Sequence, residues 1–119
     1  MKSHQDPRHL HRIKQMQSIF AWDAGSTEPK TTDSADVIAH IPEIDQIISA
    51  HAPKWPLDKI NKVDLAVLRC AVWELKFNPN IPAKVIIDEA VEIAKEFGTD
   101  HSSSFVNGVL GSITNESQS

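Results

Sequence analysis

The chain has 119 residues, with 12 lysines and arginines against 16 aspartates and glutamates, a formal charge of −4 and 40% hydrophobic side chains. That length holds one domain around one core. The balance of apolar and charged residues excludes a disordered chain, and neither a membrane-spanning run nor a secretory leader is present in the sequence. The single Cys70 excludes an internal disulfide framework and fits a reducing, cytoplasmic setting.

Asp6-Pro7 predicts a helix start, because an Asp carboxylate can accept from the first free amides and Pro suits the first helical position. Leu10, Ile13, Met16 (or Gln17) and Phe20 then recur at three-to-four-residue spacing, an amphipathic helix reaching about Trp22. Residues 24–35, containing the polar GSTEPKTTDS stretch, read as a loop. The pattern resumes weakly from Asp36. Pro42 then opens a helix whose apolar stripe is Ile44, Ile47 and Ile48. Pro53-Lys54-Trp55-Pro56 forces a corner, and Asp58 begins a short turn.

From Asp64 onward Leu65, Leu68, Val72 and Leu75 form one stripe, and Ala66, Cys70, Trp73 and Phe77 another. A helix apolar on two faces belongs at the centre of a fold. Asn78-Pro79-Asn80 stops it, Pro82 starts the next, and Gly98 is placed as its C-cap. A last helix spans about His101 to Ile113. No segment alternates with period two. The sequence therefore predicts an all-α single domain over 1–119, five to six helices around a buried central helix, with 1–5 and 114–119 as frayed tails.

Charge is unevenly distributed: residues 1–22 carry +3 and residues 23–119 carry −7. A basic arm on an acidic body suggests two surfaces with different partners. Arg8, Arg12 and Lys14 lie on the first helix, with Arg8 and Arg12 four apart and so on one face, suited to phosphates. Catalytic alternatives fare poorly. Asp88, Glu89, Glu92 and Glu96 read as a solvated acidic face, since the Glu-x-x-His pairs of a di-metal bundle are missing. His9 and His11 point apart on a helix and no Cys-x-x-Cys accompanies them, so no metal or cofactor is expected. Ser102, Ser103 and Ser104 read as a helix start and cap, and Cys70 as a small core residue. Arg69, a charge in an apolar helix, needs a carboxylate, with Glu89 on the next helix a candidate. Gly108 within FVNGVL predicts close backbone packing, and Asn107 then needs hydrogen-bond partners. Phe105 is either a core residue or a stacking platform for a base.

Three segments in order and spacing, VDLAVLRCAVWEL (Val63 to Leu75), IPAKVIIDEAVEIAKEFG (Ile81 to Gly98) and SFVNGVL (Ser104 to Leu110), resemble the C-terminal signature of NusB transcription antitermination factors. RIKQMQSIFAWD (Arg12 to Asp23) is similar to that family's first helix. The resemblance implies an all-helical, non-enzymatic protein that binds the boxA element of ribosomal RNA leaders. It does so together with NusE, a ribosomal protein, within an RNA polymerase antitermination complex. Carried over by position, Arg8, His9, Arg12, Lys14 and Gln17 fall in the Arg-rich RNA-contacting region, and Asp100, His101, Ser104 and Phe105 in the second. Phe20 and Asp64 match positions used against NusE, with Asp58 and Glu74 as further candidates. Arg69, Glu89, Asn107 and Gly108 match framework positions.

The chain also departs from the family pattern. His9, Leu10 and His11 dilute the Arg cluster, and Ser104 stands where a Lys is common. The segment before Pro42 is short, as though one helix were trimmed. Fewer phosphate contacts imply weaker RNA binding with a shallower salt slope. The rival expectation is a protein–protein adaptor of the same fold with weakened RNA affinity. A further one is an appendage of the methyltransferases that carry NusB-like domains, disfavoured because the sequence holds no catalytic domain. A second copy of the chain is a candidate partner for any apolar surface left by the shortened segment.

Overall fold

The computed structural model describes residues 6–28 and 31–118, and within them every regular element is helical. The elements are α1 (Pro7–Asp23), α2 (Thr32–Ala39), α3 (Ile41–His51), a single 3-10 turn (Leu57–Lys59), α4 (Lys62–Phe77), α5 (Ala83–Phe97) and α6 (Ser102–Gln118). The starts follow from local chemistry. The Asp6 carboxylate accepts from the Arg8 amide at 2.8 Å, and Asn61 accepts from the amides of Val63 and Asp64 at 2.8 and 3.3 Å. α5 follows directly after Pro82, and the Gly98 amide closes it on the Ala94 carbonyl at 2.8 Å.

Gly98 is required by crowding, not by handedness: its φ is −98°. A Cβ there would lie 2.7 Å from the Ala94 oxygen and against the Ser102 side chain. That close approach brings the end of α5 onto the start of α6, where the Ser102 hydroxyl accepts from the Thr99 amide at 2.8 Å.

The core is one cluster drawn from all six helices, with Ile19, Val37, Ile44, Ile48, Leu68, Val106 and Leu110 among its innermost members. α4 is the central helix: every residue from Asp64 to Arg69, and again from Ala71 to Trp73, is buried. At roughly 1.5–3 kcal/mol for each large aliphatic side chain removed from water, α4 supplies a large share of the driving force for folding.

Two predicted boundaries shift, and the buried face of α1 differs from the expected stripe. The loop ends at residue 31, because Thr31 caps α2 by accepting from the Ser34 amide at 2.9 Å. Its hydroxyl and that of Ser34 both donate to Gln15 Oε1, at 2.6 and 2.7 Å. A short helix therefore occupies the segment that read as trimmed. α6 continues to Gln118, past the end near Ile113 expected from the sequence. The expectation for 1–5 lies outside the described residues. On α1 the buried positions include Ile19 and Met16, whereas Leu10 and Phe20 are exposed at 44% and 40%.

Candidate nucleic-acid interface

Arg8 and Arg12 lie one turn apart on α1 and have opposite fates. Arg8 is in solvent, its guanidinium 3.0 Å from Asp6. The hydrogen bonds from the Arg8 side chain, and then from its amide, hold the Asp6 carboxyl down at about 2. Arg12 turns inward. Its Nε donates to both Glu74 oxygens at 3.2 and 3.0 Å, and Nη1 to Glu89 Oε1 at 3.4 Å. The side chains of Arg12, Glu74 and Glu89 are only 13%, 15% and 5% exposed. His9 completes the group, with Nδ1 3.0 Å from Glu89 Oε2 and the residue 2% exposed.

Several sequence expectations change with this network. His9, Arg12 and Glu74, expected at RNA or partner surfaces, have their side chains turned into this network and largely out of solvent. All three pin α1 to α4 and α5. Glu89 is not on a solvated acidic face, because it serves as the buried acceptor between His9 and Arg12. His9, Glu89 and Glu92 do bring ring nitrogen and carboxylate atoms within 4.8 Å of one another, a donor set a metal can use. The guanidinium of Arg12 already supplies positive charge at that point. Beside the network a cavity of about 350 Å³ opens between α1, α4 and α5, with Met16, Cys70, Ile86 and Ile93 on its floor. Burial pushes the Cys70 thiol well above its ordinary range, so it behaves as a small apolar residue.

Arg69 also finds a different partner. Its fork meets Asp45 of α3, Nε and Nη2 each at 2.9 Å. Nη1 lies 3.5 Å from Asp23, and the guanidinium sits 5.6 Å from the Trp22 ring centre. Burial pulls the pKa of Arg69 down, but the two carboxylates outweigh it and the net shift is upward. Glu89 lies on a different side of α4. Asp64, expected at the partner surface, is buried, at 6% exposure. Desolvation raises its pKa, partly offset by a hydrogen bond with Ser102.

What remains on the surface is more compact than the sequence list. Lys14 and Gln17 are exposed on α1 beside Leu10, at i, i+4 and i+7 spacing, on one face. Asp100, His101 and Ser104 are exposed around the start of α6, and Phe105 is partly buried against the core. His9 Nε2 lies 4.0 Å from Glu96 Oε2, so the start of α1 lies against the end of α5, just before this segment. Phe20 and Asp58 are exposed. Asn107 and Gly108 are exposed as well, and no atom lies within 4 Å of a Cβ built on Gly108, so the close packing expected there is not found. The sequence reading passed over Trp55, which is 53% exposed and meets Phe105 edge to face at 6.3 Å. Its signal was an aromatic residue held between two prolines.

The polar groups buried here hold helices together, and the exposed ones lie along α1, on the 3-10 turn and around the start of α6, the arrangement of an all-helical binding module. The NusB family model matches residues 30–115. The chain is 38% identical over 122 residues to the transcription antitermination protein NusB of Geobacillus kaustophilus, covering 89% of this chain and 94% of that protein. It is 38% identical over 128 residues to NusB of Bacillus velezensis, covering 94% and 98%. Among solved structures, NusB of T. maritima superposes with a TM-score of 0.80 at 32% identity, over 98% of this chain and 94% of that one. A structure of antitermination factors NusB and NusE in complex with dsRNA superposes with a TM-score of 0.78 at 25% identity, over 92% and 96%. The chain belongs to the NusB family of non-enzymatic transcription antitermination proteins.

Proposed function

We propose that this protein binds a boxA-type single strand of ribosomal leader RNA together with NusE and carries it into an RNA polymerase antitermination complex in the cytoplasm. The observation that supports this most is the match along 92% of the chain to a NusB held with NusE and dsRNA. No described helix is long and apolar enough to cross a membrane.

In this reading Arg8 meets phosphate, with Lys14 and Gln17 on the adjoining face. His101, Ser104 and Phe105 meet unstacked bases, and Asp100 accepts from base or sugar donors. Exposed Phe20 and Asp58 dock the partner, an aromatic anchor beside a charge that suits a basic ribosomal protein. With Arg12 internally committed, only Arg8 and Lys14 remain as phosphate contacts on α1. The salt dependence is therefore shallow, a log–log slope of about −1 to −2 for a single strand.

Labelled boxA-type RNA titrated at two salt concentrations, with and without NusE, tests this. Tighter binding with NusE, preference for boxA over a scrambled strand and a shallow slope are expected. Sequence-independent binding that NusE does not strengthen would instead favour an adaptor whose arginines serve the fold.

A further inference from the structure

The corner between α3 and α4 presents an aromatic residue that the fold does not need. Trp55 is 53% exposed, more than any other large hydrophobic side chain among the described residues. Pro53 and Pro56 fix the backbone on either side, and the Trp55 amide closes the turn on the Ala52 carbonyl at 3.0 Å. The corner is anchored to α6 one turn earlier, where His51 Nδ1 lies 2.8 Å from the Ser112 hydroxyl. The indole is thus held in place at low entropic cost.

Its neighbour is Phe105, at 6.3 Å between ring centres and 76° between planes. An edge-to-face pair uses one face of one ring and leaves flat aromatic surface facing outward. Around the pair the surface is polar: Lys54 precedes Trp55, and His101 and Ser104 lie within one turn of Phe105, all exposed. Gly108, one turn further along α6, is exposed with open space where a side chain would stand. Two rings in a polar, partly basic setting fit flat nucleobases on a charged strand better than they fit the apolar centre of a protein interface.

We propose that Trp55 and Phe105 form a two-ring platform that takes neighbouring unstacked bases of the bound RNA, extending the RNA surface from the start of α6 onto the Pro53–Pro56 corner. Lys54 lies beside the path of the backbone. This inference rests on the RNA-binding reading above.

The test titrates a labelled boxA-type single strand against the wild type, Trp55→Ala and Trp55→Phe, with circular dichroism melting of each. Base–aromatic stacking is worth enough that Trp55→Ala weakens RNA binding roughly ten- to a hundredfold. Trp55→Phe retains most of the affinity, and neither variant changes the salt slope, since no counterion is involved. Abasic positions placed one at a time along the RNA identify the stacked base as the one whose removal abolishes the difference between wild type and Trp55→Ala. Wild-type binding with an unchanged Trp55→Ala affinity overturns the platform and leaves the RNA reading intact. RNA affinity unchanged but NusE binding lost overturns it in favour of a protein contact. Failure of the wild type to bind any RNA overturns the underlying reading itself. If Trp55→Ala melts early, the Trp55→Phe variant and the abasic series on wild type decide the matter.

Discussion

Replacing Arg12 by alanine removes the guanidinium between the buried Glu89 and the partly buried Glu74. Its three hydrogen bonds to Glu74 and Glu89 measure 3.0 to 3.4 Å. At those separations and an effective dielectric near 20, each carboxylate attracts the guanidinium by about 5 kcal/mol before desolvation, and desolvation offsets most of that. Removing one member reverses the balance, because Glu74 and Glu89 stay largely out of water beside each other with the guanidinium gone and His9 still on Glu89. The expected cost is about 3 kcal/mol, the low end for a buried pair, since the side chains keep up to 15% exposure. For a domain of this size that is a fall in Tm of roughly 10–15 °C. Arg12→Lys keeps the charge without the fork and should lie between. Thermal unfolding by circular dichroism at low and moderate salt reads the effect, alongside RNA titration. An Arg12→Ala variant that melts within 2–3 °C of wild type, yet loses RNA affinity with a salt slope shallower by about 0.7, would place Arg12 on the RNA and refute the framework assignment.

Three further outcomes follow from the same geometry. Arg69→Ala should lower stability by about 3–5 kcal/mol, as Asp45 and Asp23 lose a bidentate partner, and Asp45→Asn by less; denaturant midpoints check both. Asp64 has a raised pKa from burial, so its folded state binds the proton more tightly than the unfolded chain. Its charge therefore weakens stability above the folded pKa, and the penalty fades as pH falls towards 3.8. Asp64→Asn should stabilise by about 1 kcal/mol at pH 7 and by little near pH 4, and a midpoint unchanged at pH 7 would show that the α4 N-terminus compensates the charge fully. Gly98→Ala forces a methyl against the Ala94 carbonyl and Ser102, so a loss of about 1–3 kcal/mol is expected by melting, with α6 protection from hydrogen exchange reduced first.

The helices were legible because their signals are local. Asp6-Pro7, Pro82 and Gly98 act within one turn of themselves, and the two stripes of α4 mark a central helix wherever its neighbours come from. α2 was hidden because its buried face begins with Ser34, whose hydroxyl is satisfied by Gln15 across the fold, so a polar TTDS stretch looked like loop. The surface was less legible for a similar reason. A basic residue on a helix reads the same whether it meets phosphate or a carboxylate contributed by a residue 62 or 77 positions away, as Arg12 does. His9 and Glu89, 80 residues apart, carry no local mark of their pairing. Arg69 showed its need for a carboxylate, but choosing between Asp45 and Glu89 requires knowing which sides of α4 face α3 and α5. Family resemblance pointed to the Asp100–Phe105 segment, of which Asp100, His101 and Ser104 are exposed and Phe105, left open between core and stacking roles by local pattern, is partly buried.

α1 is fastened near both ends: Arg12 and His9 hold its first half to α4 and α5, and Asp23 at its last residue meets Arg69 and Lys62 at 3.5 and 3.6 Å. With 17 residues it acts as a rigid bar. Arg8 and Phe20 are separated along it by about 18 Å, more than twice the screening distance of about 8 Å at physiological salt. On the proposed reading, an RNA seated at one end and a protein at the other would thus be electrostatically independent, and a helix clamped at both ends has little freedom to relay a shift between them. Cooperativity between the two ligands would then arise where they touch each other, beyond the protein's own surface. Mutations that abolish it without weakening either binary complex should map to the RNA and the ribosomal protein instead of to this chain.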